Sequence, residues 1–206
     1  MSTQVAKLIA RIAENLPEIP ADLTQWWIEN PLELQGILVG LSKKPSPKCD
    51  VWKTIKLGTG LKTADDFRAS LKGNGFSIGD WANDILGKPE FVVATEEKEV
   101  DLVKVTVAEL GFNKGARRDQ IYERARELGL EPCPSEVGPQ LRLQYKDQPN
   151  NEWILIGMDP ICHSDGGLRV FSVERDDSVR WLYGHYDGPG SVWGPGFRWA
   201  FVRPRK

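Results

Sequence analysis

Two histidines, His163 and His185, stand near acidic residues at predicted strand ends, with Asp165, Glu174 and Asp187 close by in sequence. Imidazoles titrate near neutral pH, so such a pair can act as acid and base in a hydrolase or nuclease. Turns recruit Asp for conformational reasons alone, and no nucleophile elbow or other spaced signature accompanies these residues. His163, His185 and Asp187 are the catalytic candidates, and hydrolysis is the third-ranked function. Metal binding would draw on Cys133, Cys162, His163 and His185, but none of them has CxxC or HxxxH spacing, so neither a metal nor a cofactor is expected. Gly58-Thr59-Gly60-Leu61-Lys62-Thr63 has the look of a phosphate loop between strand and helix. A Walker loop needs Gly directly before the Lys, and Asp65 and Asp66 already complement the helix dipole, so a capped turn is the better reading.

Charge is unevenly placed. Residues 43–72 carry eight basic side chains against three acidic ones, and residues 73–101 carry two against seven. Lys53, Lys56 and Lys62, with Arg117 and Arg118, are the cations that could contact phosphates and release counterions. Residues 117–130, a turn, residues 135–145 and a hairpin follow the order of a helix-turn-helix with a wing. Gly138-Pro139 falls where the recognition helix would run, and Pro does not suit a helix interior. Nucleic-acid binding is the second-ranked function.

Aromatic side chains crowd the last third: Tyr145, Trp153, Phe171, Trp181, Tyr183, Tyr186, Trp193, Phe197, Trp199 and Phe201. Most are expected to build a core. Tyr186 and Trp193 flank the loop Asp187-Gly188-Pro189-Gly190-Ser191 and are expected at the surface, where they would anchor a partner.

The elements that must position these residues follow from periodicity. Val5, Leu8, Ile9, Ile12 and Leu16 recur at helical spacing, Pro17 and Pro20 stop that helix, and two more follow at 21–29 and after Pro31. Residues 42–50, with two prolines and three lysines, read as a boundary between a helical segment at 1–46 and a body at 50–206. The body is predicted to open with a strand at 51–57 and a helix capped by Thr63 and Asp66. Helices at 77–86 and 116–128 follow, with strands at 91–94 and 100–107 between them. From Leu141 the period changes to 2, which predicts an antiparallel sheet over about 140–203. Several of its strands are apolar on both faces, so the sheet is curled or covered by the 116–128 helix. The class is α+β.

The chain has 206 residues, a net charge of -2 and 40% hydrophobic content. That suits one large or two small folded domains and excludes a molecule that attracts nucleic acid by its overall charge. No apolar run approaches the ~20 residues of a membrane span, so no membrane partner is expected. Lys7, Arg11 and Glu14 interrupt any signal-peptide core. Three widely spaced cysteines, Cys49, Cys133 and Cys162, point to a reducing compartment, the cytoplasm.

Three segments, WKTIKLGTGLKTADDF at 52–67, DWANDILGKP at 80–89 and CPSEVGPQLRLQY at 133–145, resemble a family of uncharacterised bacterial proteins. The likeness covers residues 50–206 and implies a bacterial cytoplasmic origin; it implies no activity and no catalytic residues. The leading expectation is a non-enzymatic interaction protein that binds a protein partner or itself, with nucleic acid as the alternative partner.

Overall fold

Residues 3–40 and 49–205 are described by the computed structural model, apart from the side chains of Ile37 and Gly40. The expected boundary at 42–50 falls mostly on residues 41–48, outside the described residues, as do Lys43, Lys44 and Lys48. Contacts along the chain separate two units, 1–46 and 47–206.

Proline punctuates the first unit. Helix α1 (Thr3–Glu14) ends before Pro17, Pro20 precedes α2 (Ala21–Glu29), and Pro31 opens α3 (Pro31–Gly40). Pro at a first helical position lacks only an N–H that would have no intrahelical partner. Neither α1 nor α2 buries a single residue.

The second unit is built on strands β1 (Lys53–Leu57), β2 (Ser77–Ile78), β3 (Lys98–Thr106), β4 (Ala116–Arg117), β5 (Glu152–Ile156), β6 (Ile161–Cys162), β7 (Leu168–Asp176), β8 (Val179–Tyr186), β9 (Val192–Trp193) and β10 (Arg198–Arg203). Its helices are α4 (Ala64–Gly73), α5 (Asp80–Leu86), α6 (Arg118–Glu127) and α7 (Val137–Gln144). Eight strands form one mixed sheet, ordered β1-β3-β10-β5-β7-β8-β2 with β6 on β7, curled into a half-barrel; β4 and β9 pair separately. The α+β class and the curled sheet are therefore present. The simple meander is not, because β10 lies between β3 and β5 and runs parallel to β5.

Both faces of this sheet are covered in part. On the inner face, α7 lies against Phe171 so closely that a Cβ on Gly138 would come within 2.7 Å of that side chain. Phe67, Phe91 and Phe171 pack edge to face beneath α4 and α7. On the outer face, Tyr122 of α6 packs edge-on against Trp199 and Phe201, and its hydroxyl donates to the Met158 carbonyl at 2.7 Å.

Four local expectations need correction. Residues 141–144 are helical and Tyr145 caps the helix, so the sheet's C-terminal part starts at Glu152 and not near 140. Val137, Leu141 and Tyr145 are the buried series, a helical i, i+4 spacing, whereas Leu143 of the apparent alternation is only half-buried. Pro139 fits because it is the third residue of α7, within the first turn where N–H groups lack intrahelical acceptors. Residues 77–78 are a short parallel strand on β8, and the helix begins only at Asp80. Residues 91–94 form no strand, because their amides are taken by side chains: Val92 N–H donates to the Ser135 hydroxyl and Ala94 N–H to the Glu136 carboxylate.

Candidate functional site

The Gly-Thr-Gly turn after β1 is closed by the protein itself. Glu136 is fully buried, and its carboxylate accepts from Gly58 N–H at 2.8 Å, Ala94 N–H at 2.8 Å and the Gln140 amide at 2.9 Å. Gly58 has φ 65°, and a Cβ there would strike the Glu96 carbonyl. Thr63 and Asp66 cap α4 reciprocally, as their spacing predicts. A loop whose amide already faces a buried carboxylate repels phosphate.

The two histidines lie in separate networks. His163 sits at 3.0 Å from Asp165 and 3.7 Å from Asp84. Asp84 accepts from the hydroxyl and amide of Ser164, and Lys88 donates to the same hydroxyl at 2.7 Å. Those bonds, the Ser164 hydroxyl first, hold the Asp84 carboxyl down at about 2. This is a polar clasp between α5 and the 162–167 turn.

His185 pairs with Glu174 at 2.6 Å, and Glu174 also accepts from the Ser172 hydroxyl at 2.6 Å. A hydrolytic triad places the imidazole between serine and carboxylate, so that the base can take the hydroxyl proton. Here the carboxylate is in the middle and Ser172 is fully buried. The order holds the His185 ring in place but gives it no nucleophile to activate. Around it on the outer face stand Trp153 at 6.1 Å and Tyr183 at 5.8 Å between ring centroids, both exposed. Trp153 and the exposed Phe197 border a cleft of about 280 Å³ with Asn151 and Arg198. This aromatic shelf, with an imidazole in its floor, can stack on a flat or apolar partner group.

Asp187 does not join His185. It is fully buried, accepting from the Trp193 indole at 2.9 Å and facing Arg118 at 3.3 Å, while Arg118 also donates to the Asp187 carbonyl at 2.8 Å. Burial raises its carboxyl above the ordinary value against the pull of Trp193 and Arg118. The surface placement expected for Trp193 is therefore corrected: it is 6% exposed, because its indole closes the 187–196 loop and its ring packs on Trp199 and Phe197. Tyr186 is exposed as expected, with the Arg169 guanidinium over its ring at 4.9 Å.

Four of the five expected cations, Lys53, Lys56, Arg117 and Arg118, face carboxylates, whereas Lys62 engages Asp66 only through its backbone N–H. Lys53 meets Asp147 at 3.5 Å, Lys56 meets Glu97 at 2.7 Å, Arg117 meets Asp119 at 2.8 Å and Arg118 meets Asp187 at 3.3 Å. Helix α7 buries its residues 137–142, so it has no free face for a DNA groove. The helix-turn-helix reading fails on that burial. Among the described residues, no three His, Cys, Asp or Glu side chains gather as metal ligands. No helix is long and apolar enough to cross a membrane.

Sequence reasoning missed Arg142. It is fully buried, and its NH1 donates to Gln148 and to the Glu174 carbonyl and its NH2 to the Tyr145 carbonyl. A charged residue at position 142 of a supposed strand reads as solvent-facing; only the helix turns it inward.

No family model, curated protein or solved structure matches the chain. The fold and site define an α+β half-barrel with an attached helical unit.

Proposed function

We propose that this chain is a non-enzymatic interaction protein of the bacterial cytoplasm whose N-terminal helices dock a protein partner, a second copy of the chain included. One observation carries the reading. Leu8, Ile9, Leu23, Trp26, Ile28 and Leu32 are all exposed, and neither α1 nor α2 buries a residue. Helices of this length are marginal in water and draw their stability from burying an apolar face. The shelf of Trp153, Tyr183 and Phe197 adds a second apolar surface on the body. Three unbridged cysteines fit a reducing compartment. The nucleic-acid alternative draws less support, since Lys53, Lys56, Arg117 and Arg118 face carboxylates.

Sedimentation of the full chain from about 1 to about 100 µM tests this, because mass action governs any association. The wild type should form dimers or larger species. A variant carrying Leu8→Ser, Trp26→Ser and Ile28→Ser should stay monomeric with the body's thermal unfolding unchanged. A monomeric wild type with amides of α1–α3 protected from hydrogen exchange would sink the reading, since the helices would then be covered by their own chain.

A further inference from the structure

Three arginines converge at one end of the inner face without a carboxylate. Arg142 comes from α7, while Arg175 and Arg180 are direct partners across the β7–β8 ladder and so share a face. Every acceptor that Arg142 meets is neutral: the Gln148 amide oxygen and the carbonyls of Glu174 and Tyr145. Its guanidinium also lies 5.0 Å from the Phe76 ring. Arg175 donates to the Gln148 carbonyl at 2.6 Å. The Arg180 side chain makes no hydrogen bond or ion pair among the described residues. The Nε atoms of all three are buried and unpartnered.

Such a cluster is unfavourable when empty. Buried cations are held by counter-charges or are costly. The C-terminal carbonyls of α7 offset part of the Arg142 charge. Nothing comparable faces Arg175 and Arg180, and the exposed Asp176 and Asp177 at the hairpin tip form no ion pair with either. Burial and the charges of Arg180 and Arg175 bring the Arg142 guanidinium down to about 10, so it remains a cation at neutral pH.

We propose that Arg175 and Arg180, backed by Arg142, form a binding site for a phosphate group, either free phosphate or a small phosphomonoester. Guanidinium forks match tetrahedral oxyanions with paired, charge-assisted hydrogen bonds. Arg175 and Arg180 are half-buried and give access from the hairpin side, while the fully buried Arg142 contributes charge from behind. The site lies on the face of the sheet opposite the aromatic shelf and does not depend on the docking role of the helices.

The test is titration calorimetry and thermal unfolding of the full chain with inorganic phosphate, a simple phosphomonoester, and sodium chloride at matched ionic strength. Phosphate should bind and raise the unfolding temperature beyond the chloride control. Arg180→Ala should weaken binding by about tenfold or more, the loss expected for a hydrogen bond to a charged group, with Arg180→Lys intermediate. Because the Arg180 side chain holds no bond, Arg180→Ala should unfold at the same or a higher temperature than wild type in chloride, and at a lower one in phosphate. Tighter binding of the phosphomonoester identifies a small-molecule ligand, and equal binding identifies the free ion. Equal stabilisation by phosphate and chloride, or full phosphate binding by Arg180→Ala, overturns the proposal.

Discussion

Leu8 of the N-terminal unit and Leu141 of the body are the same side chain on short helices, yet Leu8 is 55% exposed and Leu141 fully buried. The difference lies in what surrounds them. Around Leu141 stands a curled sheet whose two faces are covered in part by α4, α5, α7 and α6, and the apolar cluster of the body runs from Ile55 to Phe201. Leu8 lies on a helix none of whose residues is buried. Amphipathic pattern creates an apolar face in both units, but only the body supplies a second layer to cover it.

The largest effect expected from this contrast is on core aromatics. Phe171→Ala should cost the body about 3–5 kcal/mol, the usual range for deleting a buried aromatic ring, read from urea unfolding. Trp26→Ala should leave the same transition within about 0.5 kcal/mol, as for surface substitutions. Equal losses from both would erase the distinction between the units.

Glycine sharpens it on a smaller scale. Gly138→Ala forces a methyl into Phe171 and should destabilise the body by about 1–3 kcal/mol, as overpacking does. Gly36 in α3 has nothing within 4 Å of an added Cβ. Gly36→Ala should therefore raise helicity, worth about 0.5–1 kcal/mol, measured by circular dichroism.

The smallest effect concerns acid. Asp84 titrates at about 2 in the folded body, below its ordinary value of 3.8, because Ser164 and Lys88 hydrogen-bond its ionised form. A depressed carboxyl stabilises the fold above its unfolded value and loses that contribution as pH falls from about 4 toward about 2. Asp84→Asn should unfold at lower urea than wild type near pH 5, with the gap closing near pH 2.5. A gap that persists at low pH would mean that packing and not charge anchors this clasp. In the N-terminal unit the exposed Arg11–Glu14 pair is worth little at any pH.

Much of the fold was legible because local patterns were unambiguous. Thr63 and Asp66 announced the cap of α4, Gly129 with φ 76° marked the end of α6, and doubly apolar strands implied a curled or helix-covered sheet. The candidate site was less so. Glu174 and His185 were visible as titratable residues, but their contact depends on the register of β7 against β8. Trp193 looked like a surface aromatic because its loop is rich in Gly and Pro; the carboxylate that draws it inward is fully buried and belongs to the same loop.

By itself the amino-acid sequence determined the α+β class, the proline-broken helices and the aromatic core, since these follow from spacing and turn chemistry within a few residues. Only the tertiary structure decided the rest. Over the five residues 141–145, alternation and helical spacing share the same apolar ends, so the choice between strand and helix fell to the surface of Phe171 waiting for Gly138. That choice turned Arg142 inward, beside two arginines more than thirty positions away. Charges so distant in sequence meet only when a sheet register brings them together, and no local pattern encodes that register.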